Sequence, residues 1–159
     1  MKEDFYRAII SERDFEEAAD YLLALTESGP AIVRKALLVA AVIAYGRPFT
    51  RNEREKGAKA SAKVSLLIEN LLNDQEREMH GRLIELRNKA IAHSEFAVNP
   101  VSLGEVTEGG LSFKATSFDI LDESIDVPTF ISLCRKRAKQ AMDTGFAAAQ
   151  AETKAQNAL

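Results

Sequence analysis

The chain keeps a helical hydrophobic period along most of its length and abandons it once, and that switch constrains the fold more than any other feature. Phe15, Ala18, Ala19, Leu22 and Leu25 recur at three- and four-residue spacing, which predicts one or two helices over about Phe5 to Thr26. Ser28-Gly29-Pro30 breaks the pattern. A second helix is expected over Ala31 to Tyr45, where Ile32, Val33, Ala36, Leu37, Leu38, Val39, Ala40, Val42 and Ile43 are apolar nearly all round, as in a central, buried helix. Gly46-Arg47-Pro48-Phe49 ends it. Thr50 to Lys63, rich in Arg and Lys, reads as a solvated connector, and a short apolar segment, Val64 to Leu72, follows. Asn73-Asp74 offers an N-cap for a helix from about Gln75 to His93. Asn99-Pro100 stops the helical pattern. From Val101 the period becomes two, on both sides of Glu108-Gly109-Gly110, which predicts a β-hairpin over about 101–118. Val127-Pro128-Thr129 opens a last helix with Phe130, Ile131, Cys134, Ala138, Ala141 and Met142 on one face, and the Ala- and Gln-rich segment beyond Phe146 is expected to fray. The expected fold is mainly α: one helical-bundle domain over 1–150 with a hairpin inserted before the C-terminal helix, and a frayed tail over 151–159.

A chain of 159 residues with 46% apolar content can bury one compact core. Its net charge of -3 excludes a general basic coat for nucleic acid, so any RNA binding must use a local patch. The runs Arg47 to Lys63 and Arg135-Lys136-Arg137-Ala138-Lys139 are the places for one, and as solvated helix faces they have an equally ordinary explanation. A single cysteine, Cys134, excludes an internal disulfide and a Cys-based zinc site, and two histidines so far apart make no metal centre. Neither a metal nor a cofactor is expected. No apolar run reaches the roughly 20 residues of a membrane span, and the charged start Met1-Lys2-Glu3-Asp4 does not read as a signal peptide, so a cytoplasmic setting without membrane contact is expected.

The helix around residue 85 carries the chemistry. At about 100° per residue, with Leu83 set at zero, Met79, Ile84, Leu86, Ala90 and Ile91 share one arc, and Glu78, Arg82, Glu85 and Lys89 lie opposite. Arg87 falls at about 40°, inside the apolar arc, with His80 at about 60° and Ser94 at about 20° on the same line. A guanidinium on a buried face needs a carboxylate, carbonyls, a subunit partner or an anionic ligand in front of it. A structural arginine bridging helices or subunits competes here with a phosphate site, for which arginine is well shaped. His93 near a helix end has an ordinary electrostatic reason to be there. His80 reads as structural.

Leu86-Arg87-Asn88-Lys89-Ala90-Ile91-Ala92-His93-Ser94 resembles the signature of the HEPN superfamily: an arginine, a polar residue, a short gap and a histidine, on a helix in a mainly helical chain of suitable size. Tyr45-Gly46-Arg47-Pro48-Phe49 also looks like a segment of some uncharacterised HEPN-like proteins. The resemblance implies a HEPN-like bundle with a cleft between two protomers, and a metal-independent endoribonuclease of toxin, defence or RNA-processing type. Arg87 would hold the scissile phosphate. His93 would act as general acid or base, and Asn88 would orient one of them. The alternative is a catalytically inactive HEPN-like module that binds a nucleotide or RNA, or serves dimerisation. A purely structural helical adaptor is a third class. The partners implied are a second copy of the chain, RNA or a nucleotide, and an antitoxin protein. Round a straight helix Arg87 and His93 would stand about 120° apart, which favours a two-fold dimer over a site made by one helix.

Overall fold

A computed structural model describes residues 2–25, 29–49, 71–91, 101–107, 110–115 and 118–156. The connector Thr50 to Lys63, most of the Val64 to Leu72 segment, His93, Ser94 and the Glu108-Gly109 turn lie outside the described residues. The fold is mainly helical: α1 (Lys2–Leu23), α2 (Ala31–Gly46), α3 (Asp74–Glu85) and α4 (Val127–Gln156), with strands β1 (Val101–Thr107) and β2 (Gly110–Ala115) between α3 and α4.

The first apolar period folds as one helix. Ala8, Ser11, Phe15, Ala18, Ala19 and Leu22 of α1 are buried, and α1 packs chiefly on α4. Gly145 of α4 permits close approach, since a Cβ there would lie 3.1 Å from that of Ala8. On α4, Phe130, Leu133, Cys134, Ala138 and Ala141 complete this seam. Burial pushes the Cys134 thiol pKa up, so the sulfur is an inert apolar filler. The segment expected to fray beyond Phe146 instead continues α4 to Gln156. Its alanines are the strongest helix formers, which lets the last turns persist with little packing.

The expectation of an all-round buried α2 needs correction. Leu38, Ala41, Val42, Ala44, Tyr45 and Gly46 are buried, but Ile32 is 73% and Val33 47% exposed. Hydropathy alone cannot tell which part of an apolar helix its neighbours reach, and here cover begins at Leu38.

α3 starts where the sequence places it. Asn73 Oδ1 accepts from Glu76 N at 2.8 Å, and Asn73 N donates to Glu76 Oε2 at 3.0 Å, a reciprocal capping box. Lys136 Nζ of α4 reaches Glu76 Oε1 at 2.5 Å. Burial alone would raise the Glu76 pKa; the lysine and the cap together hold it below the ordinary value. Gly81 sits mid-helix on the exposed face, where an added Cβ meets nothing within 4 Å. Gly81→Ala is therefore expected to stabilise the fold by about 0.5–1 kcal/mol, read as a higher urea midpoint at unchanged slope. No gain would show that something must approach the Gly81 backbone closely.

β1 and β2 pair antiparallel, with Val101 opposite Ala115, Leu103 opposite Phe113 and Thr107 opposite Gly110, and an irregularity between Leu103 and Val106. Gly110 has φ 142°, a conformation open to glycine and strained for other residues. The chain returns to the core through Phe118, Ile120, Leu121, Ile125 and Val127, and Asp119 caps the short turn Ile120–Asp122 by accepting from Leu121 N at 3.0 Å.

Candidate functional site

The α-helix expected to run from Gln75 to His93 changes form inside the motif: Leu86–Ile91 is a π-helical turn. Hydrogen bonds to the fifth residue widen the turn and lower the rotation per residue. The 120° separation expected of Arg87 and His93 therefore does not carry across this segment. Such turns recur at functional positions because they re-aim side chains that a regular helix would fix.

Arg87 is half-buried, and its aliphatic stem lies on the end of α2. A Cβ on Gly46 would sit 2.8 Å from Arg87 Cγ, so the glycine makes room for the stem. The guanidinium then emerges, and its Nη1 donates to Asn88 Oδ1 at 2.9 Å. Among the described residues that amide oxygen is its hydrogen-bond partner, and no carboxylate pairs with it. The other paired arginines differ. Arg77 meets Asp74, Arg82 meets Glu123 and Glu85, and Arg47 meets Asp14 at 3.1 Å and Glu17 at 2.5 Å. The structure thus joins Arg87 and Asn88; the third motif residue, His93, lies outside the described residues.

A buried guanidinium stands in the run Arg135 to Lys139, which was expected as a solvated helix face. Arg137 is 0% exposed. Its Nη1 donates to Gln140 Oε1 at 2.7 Å, and its guanidinium carbon stands 5.7 Å from the Phe49 ring centroid. Among the described residues its Nε and Nη2 find no hydrogen-bond partner. Helical phase puts Arg137 on the apolar face of α4: it is seven residues from Phe130 and four from Leu133 and Ala141, all buried.

Beside Arg137 lies an aromatic cluster in which Tyr45 contacts Phe15, Phe49 and Phe130. Tyr45 Oη and His80 Nδ1 are 2.7 Å apart. Burial, and then the nearby Arg137 charge, push the His80 pKa down to about 4. The unfolded chain therefore takes up this proton near the ordinary 6.5, and the native protein takes it up near 4. Stability from this group is fully present above about pH 6.5 and is lost as the pH falls toward 4. With the ring half-buried, solvent screening brings the loss to on the order of 1–2 kcal/mol. The pH dependence of the urea midpoint is expected to be shallower across this window in His80→Phe than in wild type; identical profiles would refute it.

Among the described residues of the two basic runs, most cations are paired or buried. In the second run Arg137 is buried, Lys136 is paired with Glu76 and Lys139 with Asp143 at 3.1 Å, leaving Arg135 of its four cations. Arg47, at the start of the first run, is held between Asp14 and Glu17. The Asp14 pKa is raised by burial against the pull of Arg47, and that of Glu17 is lowered by Tyr21 and then Arg47. An open groove of about 640 Å³ on the outer face of α3 is lined by Glu78, Glu85, Asp122 and Glu123 as well as Arg77 and Arg82, a charge balance that disfavours a polyanion. Among the described residues no group of three or more His, Cys, Asp or Glu is placed to hold a metal, and no helix is long and apolar enough to cross a membrane. No protein-family model, curated protein or solved structure matches the chain.

Proposed function

We propose that the chain is a HEPN-like, metal-independent endoribonuclease acting by attack of a ribose 2′-hydroxyl on the adjacent phosphate, of toxin, defence or RNA-processing type, and that it works as a homodimer. One observation carries the reading. Arg87 is seated in a π-helical turn against Gly46 and held by a neutral amide, with no carboxylate partner among the described residues. Its charge and most of its donors stay available to a phosphate, whose developing negative charge a planar guanidinium stabilises well. His93 is assigned the proton transfers and Asn88 the orientation of the Arg87 fork. An antitoxin would act by covering this site.

The pairing and burial of most described cations in the two basic runs favours a second reading, a catalytically inactive HEPN-like module that binds RNA or a nucleotide or serves dimerisation. Incubation of labelled RNA with the protein in EDTA separates the two. Cleavage leaving a 2′,3′-cyclic phosphate or its opened product supports the enzyme. Binding without cleavage supports the module, and neither overturns both RNA readings. Light scattering at roughly tens of micromolar should give a dimer mass.

A further inference from the structure

Two consecutive residues at the end of α2 each hold one side chain of the α3 segment. Tyr45 bonds His80 Nδ1 at 2.7 Å, and Gly46 makes the bed for the Arg87 stem. His80 and Arg87 are seven residues apart, so they stand about two turns apart along neighbouring faces of the same segment. The His80 ring is held edge-on, 4.8 Å from the Phe49 centroid and 5.8 Å from that of Tyr45, and it is only partly buried. Among the described residues its Nε2 has no hydrogen-bond partner.

The hydrogen-bond direction follows from Arg137. A guanidinium offers donors and no acceptor. Burial holds the Tyr45 phenol protonated, with its pKa pushed well up although the nearby Arg137 charge opposes this, so the oxygen keeps its O–H. Among the described residues His80 Nδ1 is the hydrogen-bond partner of this buried phenol, and Arg137 offers it no acceptor, so the O–H is directed to Nδ1 as acceptor. A neutral imidazole has one N–H, so it stands on Nε2, the nitrogen on the other side of the ring from Tyr45.

We propose that His80 is a second ligand-contacting residue of the Arg87 site, donating its Nε2–H to a phosphate oxygen of RNA, and that the buried Tyr45–Arg137 pair fixes it in that tautomer. The inference rests on the reading of Arg87 as a phosphate group. A neutral donor fixed in one tautomer binds a phosphodiester without changing protonation.

The probe is a 2′-O-methylated oligoribonucleotide, which has no attacking hydroxyl. Long-range ¹H–¹⁵N spectra of the free protein should show His80 with Nε2 protonated and Nδ1 as acceptor. Adding the probe should shift His80 Nε2 along the same isotherm as total binding. His80→Phe should weaken binding roughly tenfold, the effect of one hydrogen bond to a charged group. Tyr45→Phe should leave the ring in place but mix the tautomers and weaken binding less. Circular dichroism checks the fold; if His80→Phe fails to fold, the wild-type shift and Tyr45→Phe decide. Probe binding with no movement of the His80 nuclei, or with His80→Phe binding like wild type, overturns the inference and leaves the Arg87 reading intact. No binding of the probe to wild-type protein overturns the Arg87 reading, and the inference falls with it.

Discussion

His93→Ala is expected to lower RNA cleavage by roughly 10²–10⁴-fold, the usual effect of removing a general acid–base. The phosphate would still bind, because Arg87 and not His93 is assigned its charge. Arg87→Lys is expected to lose on the order of 10²-fold or more, since an ammonium cannot reproduce a planar fork or its bond to Asn88 Oδ1. Gly46→Ala provides a second route to the same loss without touching the guanidinium. Its methyl would stand 2.8 Å from Arg87 Cγ, a carbon too near the backbone to swing clear cheaply, so the stem must leave its bed. Single-turnover rates in EDTA, with melting curves as the fold check, measure all three. Unchanged cleavage by His93→Ala would remove this mechanism. An unimpaired Arg87→Lys would reduce the arginine to a point charge.

The helices were legible because their signals are local. The Asn73 cap with Glu76 three residues later is written in four consecutive residues, and the capping box follows directly from it. The break at Pro30 and the buried faces of α1 and α4 are likewise set by short-range chemistry and period. What stayed illegible depends on which neighbour arrives. The exposure of Ile32 and Val33 follows from where the cover on α2 begins, a tertiary fact with no local trace. The π-helical turn at Leu86–Ile91 has no composition signature in this stretch, so an argument built on 100° steps fails inside the motif. Arg87 was found by asking which charge falls in an apolar arc. The same question, put to α4, would have separated Arg137 from Arg135, Lys136 and Lys139. Reading those residues as one basic run hid it, because a run of charges suggests a solvated surface whatever the helical phase. Gly46 was visible only as part of a segment. Its role appears when the side chain that a methyl would displace is known.

Arg137 gives the largest expected effect on stability, with a sign that depends on the replacement. Its guanidinium is fully buried, and among the described residues Nε and Nη2 find no hydrogen-bond partner. Gln140 Oε1 and the Phe49 face offset part of the lost hydration, but among the described residues no carboxylate pairs with it. Removing one partner of a buried ion pair usually strands the other charge; here none is stranded, so that penalty is absent. Arg137→Met keeps most of the stem in the core and removes the desolvated donors. It is expected to raise stability by about 1–3 kcal/mol, and Tm by about 2–4 °C for each kcal/mol in a chain of this size. Arg137→Ala removes the stem as well and leaves a cavity among Tyr45, Phe49 and Phe130, so it is expected to lower stability by about 2–4 kcal/mol. The pair of variants separates charge from packing. The His80 titration provides an independent readout: burial, the larger cause of its low pKa, remains in Arg137→Met, but loss of the neighbouring positive charge should still raise the pKa above about 4. If Arg137→Met instead destabilised the fold by more than about 2 kcal/mol, an anion, a partner's carboxylate or a carboxylate outside the described residues would have to satisfy the buried guanidinium, because only a compensated charge makes so large a net contribution at such a site.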